Sequence, residues 1–84
     1  MIKLLYFARL REDLGRGVED FALPADVTTV AGLRALLIAR GGAWAGALGE
    51  GKALRVAVNH DVANAATPIR AGDEVAFFPP VTGG

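Results

Sequence analysis

The stretch Glu74-Val75-Ala76-Phe77-Phe78-Pro79-Pro80-Val81-Thr82-Gly83-Gly84 ends the chain and combines two kinds of structure. The part from Glu74 to Phe78 alternates as a strand does, with Val75 and Phe77 on one face. The two prolines that follow lack a backbone donor and disfavour a helix, so the chain should leave the sheet there. At about 3.3 Å per residue, an extended tail from Pro79 to Gly84 would reach roughly 20 Å.

The glycine-rich end of this stretch has two interpretations. Chain ends are commonly disordered, and Gly83-Gly84 could be a disordered end without a function. A disordered end does not require the Pro79-Pro80 brace, however, and the rest of the chain offers little other chemistry. We therefore predict a folded domain over residues 1–78 and a flexible tail over 79–84. The Gly84 carboxylate is the best candidate for a reactive group.

Alternating residues predict further strands before the last one. The segment from Ile2 to Phe7 has large apolar residues on both faces, which a face exposed to water would not require. Val18 to Leu23 predicts a second strand, antiparallel to the first. Leu54 to Val58 predicts a third, and Val62 is expected to begin a short return strand.

The main helix is predicted from an apolar stripe in the middle of the chain. Val30, Leu33 and Leu37 have the spacing i, i+3 and i+7, which is typical of one buried helix face. Thr28 or Thr29 is a suitable N-cap, because its hydroxyl can accept a hydrogen bond from an unpaired amide. The pair of glycines that follows favours a left-handed end to the helix.

The order of these elements predicts an α+β domain with the ubiquitin-like β-grasp arrangement. We expect a mixed sheet of about four to five strands, with one main helix across one face and an extended C-terminal tail. Shorter helical segments are expected over residues 9–14 and 44–48. The last strand should lie centrally, beside the first. The residues expected in the core are Ile2, Leu4, Phe21, Val30, Leu33, Leu37, Val56, Val58, Val75 and Phe77.

The composition argues against several classes of function. Nine basic residues balance nine acidic ones, whereas a nucleic-acid-binding protein would normally have a basic excess. There is no cysteine and one histidine, His60, so neither a thiol nucleophile nor a metal site is expected. No apolar stretch reaches the roughly 18 residues of a membrane span, and the start lacks the layout of a signal peptide. We therefore expect a cytoplasmic domain without a membrane or nucleic-acid partner.

Two runs of sequence resemble a known family. The opening Met1-Ile2-Lys3-Leu4-Leu5-Tyr6-Phe7-Ala8 with the following Leu10-Arg11-Glu12, and the closing run from Gly72 to Gly84, are similar to the small sulfur-carrier subunits of molybdopterin synthase. A Gly-Gly end alone is shared with ubiquitin-like modifiers and the thiamine sulfur carrier. The longer ending Phe-Phe-Pro-Pro-Val-Thr-Gly-Gly is more specific, whereas residues 39–52 match only in pattern.

The resemblance implies that the chain carries sulfur and is not an enzyme on its own. A ubiquitin-activating-like adenylyltransferase would use ATP to adenylate Gly84, and a sulfur donor would convert the acyl-adenylate to a thiocarboxylate. The tail residues Pro79, Pro80, Val81, Thr82 and Gly83 would then enter the active site of the large synthase subunit. There the sulfur would pass to cyclic pyranopterin monophosphate and form the molybdopterin dithiolene. No stably bound cofactor is implied, and we expect two small and two large subunits.

The outward face of the predicted sheet suggests where such partners bind. Alternation puts apolar side chains on the face opposite the helix, and contiguous exposed apolar surface is typical of a contact site. We expect both the activating enzyme and the large subunit to use this face, one at a time. The predicted interface residues are Leu5, Phe7, Arg11, Ala57, Ala76 and Phe78.

Three alternatives stay open at this stage. A related carrier could serve thiamine, cysteine or transfer-RNA thiolation through the same terminal chemistry. A ubiquitin-like protein modifier would also activate its C-terminal glycine. A β-grasp interaction module would have a tail without any chemistry.

Overall fold

The structure is a computed structural model that describes residues 1–49 and 53–79. These residues form five strands and three helices: β1 (Ile2–Tyr6), α1 (Ala8–Leu14), β2 (Val18–Phe21), α2 (Val30–Ile38), α3 (Ala43–Leu48), β3 (Arg55–Val58), β4 (Asp61–Ala63) and β5 (Glu74–Phe78). The strands make one mixed sheet in the order β2-β1-β5-β3-β4. The predicted α+β class and β-grasp arrangement are therefore confirmed.

The centre of the sheet is a parallel pair formed by the first and last strands. Leu4 of β1 lies opposite Val75 of β5, and Tyr6 lies opposite Phe77. The other neighbouring strands pair antiparallel: β2 with β1, β3 with β5 and β4 with β3. The last strand is thus central, as predicted, and it is flanked by β1 and β3.

Helix α2 begins and ends for local reasons. The Thr29 hydroxyl oxygen accepts a hydrogen bond from the Gly32 N–H at 3.2 Å, which identifies Thr29 as the N-cap. The helix ends at Ile38 with Ala39 as its C-cap, slightly earlier than the sequence pattern suggests. The chain then turns through Gly41, which has a φ of 75° that glycine adopts without strain.

The core lies between the sheet and the three helices of the described residues. Every predicted core residue is buried except Phe21, which is only partly buried because it lies on the edge strand β2. The short helices were expected, but not as core elements, and each contributes a buried leucine: Leu10 from α1 and Leu48 from α3. Ile69, in the loop before β5, is also buried. The main helix of the prediction is therefore one of three described helices that cover this face.

The turn between β3 and β4 contains backbone strain. Val58 pairs with Asp61, so Asn59 and His60 form a two-residue hairpin loop. Both have positive φ values, 50° for Asn59 and 72° for His60. Hairpin loops of this kind favour Asn followed by Gly, because glycine adopts a positive φ at no steric cost. Asn59 suits its position, whereas His60 is strained.

Replacing this histidine should stabilise the fold. We expect His60→Gly to raise the free energy of unfolding by up to about 1 kcal/mol, since it relieves the strained φ. The substitution also removes the 3.4 Å contact between His60 Nε2 and Glu74 Oε2, but His60 is exposed and such a pair contributes little. Urea denaturation would measure the change, with His60→Ala as the control that removes the imidazole and keeps the strain. A His60→Gly variant no more stable than His60→Ala would contradict this account.

Candidate docking surface

The face of the sheet that carries no helix presents a continuous apolar row. Leu5 lies opposite Val18 on one side and Ala76 on the other, and Ala57 lies opposite Ala76 and Val62. The row thus has one member from each strand of the sheet, with neighbouring side chains about 4.5–5.5 Å apart. Its ends are the most exposed, with 55% of Val18 and 83% of Val62 accessible to solvent. A contiguous apolar surface of this kind is typical of a contact site.

A second row lies on the same face, where the tail leaves the sheet. Tyr6 pairs with Phe77, and the Phe7 N–H donates a hydrogen bond to the Phe77 carbonyl at 3.2 Å, so Phe7 lies beside Phe78. On the other side of Phe78, the antiparallel partner is Arg55. Phe7 is 47% exposed, which is unusual for so large an apolar side chain. Two aromatic rings and a guanidinium group therefore border the apolar row.

The structure brings most of the predicted interface residues together. Leu5, Phe7, Ala57, Ala76 and Phe78 share the helix-free face and occupy neighbouring positions in the two rows. The prediction of a docking site is not tested by this placement and stays a prediction.

Arg11, the remaining predicted interface residue, is not on the sheet but on α1, the helix that directly follows Phe7. It is exposed on α1, and its side chain lies along Gly17, where an added Cβ would come within 3.1 Å of the Arg11 Nε. Gly17 directly precedes β2, and its carbonyl accepts a hydrogen bond from the Tyr6 N–H. Arg11 therefore lies near the end of the first strand, as expected, but the described contacts place it against Gly17.

Three members of the rows were missed by sequence reasoning. Each is recognised only from the register between strands, which the alternation within one strand does not reveal. Val18 and Val62 extend the apolar row to both edges of the sheet, and Arg55 completes the row beside the tail. These added residues are Val18, Arg55 and Val62.

The predicted tail begins at Pro79, which is the last described residue of the chain. Pro79 lines a groove of about 330 Å³ together with Leu10, Ala47 and Leu54. The predicted tail residues Pro80, Val81, Thr82 and Gly83, and the predicted reactive Gly84, lie outside the described residues. Their role stays a prediction, as does the boundary between domain and tail at residue 78.

A polar cluster lies behind the aromatic pair, on the helix-covered side of the sheet. The buried Tyr6 donates a hydrogen bond from its hydroxyl to Glu19 Oε1 at 2.8 Å. The two terminal nitrogens of Arg40 donate to the two oxygens of Glu19 at 2.9 and 3.0 Å. The Arg40 guanidinium lies 4.3 Å from the centre of the Trp44 ring, within range of a cation–π contact. The cluster therefore joins β1, β2, the end of α2 and α3.

The protonation states in this cluster are set by burial and hydrogen bonding. Burial raises the pKa of Tyr6, and the hydrogen bond to Glu19 raises it further, so the phenol stays neutral. Burial of Glu19 opposes its ionisation, but the hydrogen bonds from Arg40 and Tyr6 outweigh this and hold the pKa of Glu19 below its usual value. The hydrogen bond to Glu19 raises the pKa of Arg40. Both oxygens of Glu19 thus have hydrogen-bond partners, and the Glu19–Arg40 ion pair supports the fold. The cluster contains no group suited to act as a general acid or base.

Other chemistry is sparse in the described part of the chain. Across residues 1–49 and 53–79, no group of three His, Cys, Asp or Glu side chains is placed to hold a metal ion. None of the helices described there is long and apolar enough to cross a membrane.

Comparison with known proteins identifies the family. The sequence profile of the ThiS family matches residues 4–84, which is nearly the whole chain. This chain belongs to the ThiS family. The match covers the candidate docking surface and the residues that follow the last strand.

Individual relatives of this ThiS-family chain agree with the assignment. It is 49% identical to the molybdopterin synthase sulfur carrier subunit of Escherichia coli K12 over 84 residues, which is 100% of both chains. Its fold is similar to a crystal structure of Haloferax volcanii small archaeal modifier protein 1, with a TM-score of 0.78, 27% identity, and 95% and 97% of the two chains covered. It is also similar to a chain in the complex of subunits 1 and 2 of the Helicobacter pylori molybdopterin-converting factor, with a TM-score of 0.61, 26% identity, and 99% and 97% covered.

The Glu19 cluster leads to a prediction about stability and pH. We expect Glu19→Gln to lower the free energy of unfolding by about 1–3 kcal/mol at neutral pH, because Arg40 loses its charged partner. A carboxyl whose folded pKa is depressed stabilises fully above its unfolded pKa of about 4.3. This stabilisation is lost as the pH falls through the lower folded pKa. Denaturation of both proteins between neutral and acidic pH should therefore show the difference shrinking toward acid.

The control for this measurement is Glu12→Gln. Glu12 is exposed on α1 and has no ion-pair partner among the described residues, so its substitution should change stability by no more than about 0.5 kcal/mol. Equal stability of the Glu19→Gln and Glu12→Gln variants would show that the cluster contributes nothing to the fold.

Proposed function

We propose that this ThiS-family chain is the sulfur carrier of molybdopterin synthase and that its reactive group is the Gly84 carboxylate. The observation that carries the proposal is the 49% identity to the Escherichia coli carrier subunit over the full length of both chains. The geometry agrees with a carrier, because the tail leaves from a central strand beside the candidate docking surface.

The proposed chemistry begins with activation of the tail. A free carboxylate is a poor electrophile, so an adenylyltransferase uses ATP to form an acyl-adenylate on Gly84 and releases pyrophosphate. A sulfur donor then displaces AMP, which leaves a thiocarboxylate on the chain. AMP and the terminal sulfur are transient groups, and the proposal requires no cofactor that stays bound to the carrier.

The second stage takes place in the large synthase subunit. The charged tail enters the active site of that subunit and donates its sulfur to cyclic pyranopterin monophosphate, and two rounds complete the dithiolene. Gly83 and Gly84 present no side chains, which suits a narrow channel and leaves the backbone torsions unrestricted. In this scheme the large subunit supplies the catalytic side chains, so the carrier is not an enzyme on its own.

The docking surface gives this exchange a physical basis. The two rows lie directly beside the start of the tail, so a partner that covers them also receives the reactive end. We propose that the activating enzyme and the large subunit bind here in turn, the latter in an assembly of two small and two large subunits. The Helicobacter pylori relative is itself described in a complex of subunits 1 and 2. ATP-dependent activation also favours a cytoplasmic location.

The main alternative is conjugation to other proteins. The similarity to small archaeal modifier protein 1 supports it, because a modifier also activates a C-terminal glycine. A modifier forms an isopeptide bond with a lysine, whereas a synthase carrier returns to the free carboxylate after each sulfur transfer. Carriers for thiamine, cysteine or transfer-RNA thiolation differ in the acceptor. Loss of molybdoenzyme activity alone, after deletion of the gene, would separate these cases.

Changes at the tip test the proposal directly. Deletion of Gly84 should abolish sulfur transfer, because it removes the residue whose carboxylate is activated. Gly83→Val should form the thiocarboxylate poorly or fail to deliver it, since a β-branched side chain obstructs the channel and restricts the backbone. Intact-mass analysis after incubation with ATP, activating enzyme and sulfur donor measures charging. A reconstituted synthase measures product.

Both variants should melt at the wild-type temperature, because the tail follows the last strand of the sheet. Asp26→Asn, in the loop before α2, is a control that should charge and deliver sulfur normally. Normal product formation by the Gly84 deletion would contradict the carrier function. Normal turnover by Gly83→Val would exclude a narrow channel.

A further inference from the structure

The helix-free face has different charges at its two ends. At the end beside the tail, Arg55 lies next to Phe78. At the other end, Lys3 lies between two acidic residues, with Asp20 opposite it on β2 and Glu74 opposite it on β5. The apolar row separates these ends. Along the strands, the face therefore changes from net negative, through apolar, to positive and aromatic at the start of the tail.

Arg55 differs from the arginines that pair with a carboxylate of the same chain. Arg9, Arg16 and Arg40 each lie within 4 Å of a carboxylate on this chain, at 3.8, 3.5 and 2.9 Å respectively. Arg55 is exposed and, among residues 1–49 and 53–79, has neither an ion-pair partner nor a hydrogen bond from its side chain. Its guanidinium group can therefore bind a partner without losing a contact to the described residues.

A partner that covers this face has to satisfy that guanidinium group. Transfer of a charged group from water into an interface is costly unless an opposite charge and hydrogen bonds replace the solvent. A carboxylate matches the planar, two-pronged donor geometry of arginine best. The same reasoning requires donors opposite Asp20 and Glu74 at the far end. The complementary surface is thus acidic near the tail and basic at the far end.

We infer that Arg55 binds a carboxylate beside the mouth of the partner's channel and so fixes the direction in which the tail enters. This inference rests on the proposed function, because it concerns the large synthase subunit as the partner. The apolar row alone does not set a direction, since its small and aliphatic side chains could pack in either orientation. Charge supplies the difference, because the reversed orientation would place like charges together.

Charge reversal at two positions tests the inference. Arg55→Glu should weaken binding of the purified large subunit by at least about tenfold in calorimetric titration at low salt. Arg55→Gln, which removes the charge without reversing it, should weaken binding less. Arg70→Glu is the matched control: Arg70 is also exposed, but it lies in the loop that precedes β5, at the end of the strand away from the tail. The Arg70→Glu variant should bind at least as tightly as the wild type, because the partner surface at that end is inferred to be basic, and all variants should melt alike.

The outcomes separate this inference from the proposed function. Wild-type affinity for Arg55→Glu, with weakened binding by a Phe78→Ala variant, would overturn the role of Arg55 and leave the docking surface in place. Equal losses for Arg55→Glu and Arg70→Glu would also overturn it, because net charge alone would then explain both. Failure of the wild-type chain to bind the large subunit would refute the proposed function, and the inference with it.

Discussion

The parallel pairing of β1 with β5 is the constraint on which the rest of the structure depends. It joins residues 2–6 to residues 74–78, so nearly the whole chain lies between the two partners. Parallel strands need a long crossover, and the helices and remaining strands supply it. Because parallel strands end at the same edge, Phe7 and Phe78 emerge side by side. The tail therefore starts from the centre of the sheet, beside the apolar row.

The two faces of these central strands differ: one packs in the core, and the other exposes apolar side chains. On the covered face, the rings of Tyr6 and Phe77 stack with centroids 6.4 Å apart, and Tyr6 is tied to Glu19. Glu19 in turn pairs with Arg40, which lies just after α2. This ion pair connects the strands to the helix layer. On the open face, the same strands present Phe7 and Phe78. The packed core on the covered face thus holds the strands in place, so that apolar side chains on the opposite face stay exposed to solvent.

Local patterns in the sequence predicted the elements and their buried faces, because alternation and helical spacing reflect contacts along one element. The burial of Leu4, Val75 and Leu33 was predicted in this way. The ion pair between Glu19 and Arg40 was not, since it joins residues 21 positions apart. The full apolar row was not predicted for the same reason. Its members are far apart in the sequence and become neighbours only through the register between strands. The scarcity of other reactive groups made the Gly84 carboxylate the best candidate, and the resemblance of the tail to sulfur carriers suggested its chemistry.

In the proposed exchange, partners bind the helix-free face and receive the tail from it. Methyl resonances of the isotopically labelled chain, titrated with the large synthase subunit, would test this most directly. We expect the methyl resonances of the apolar row, from Leu5, Ala57, Ala76 and Val62, to shift or broaden on binding. Those of Ala35 and Ile38 on α2 should stay unchanged. Perturbation of the α2 methyl groups, with the apolar row unaffected, would contradict the proposed docking.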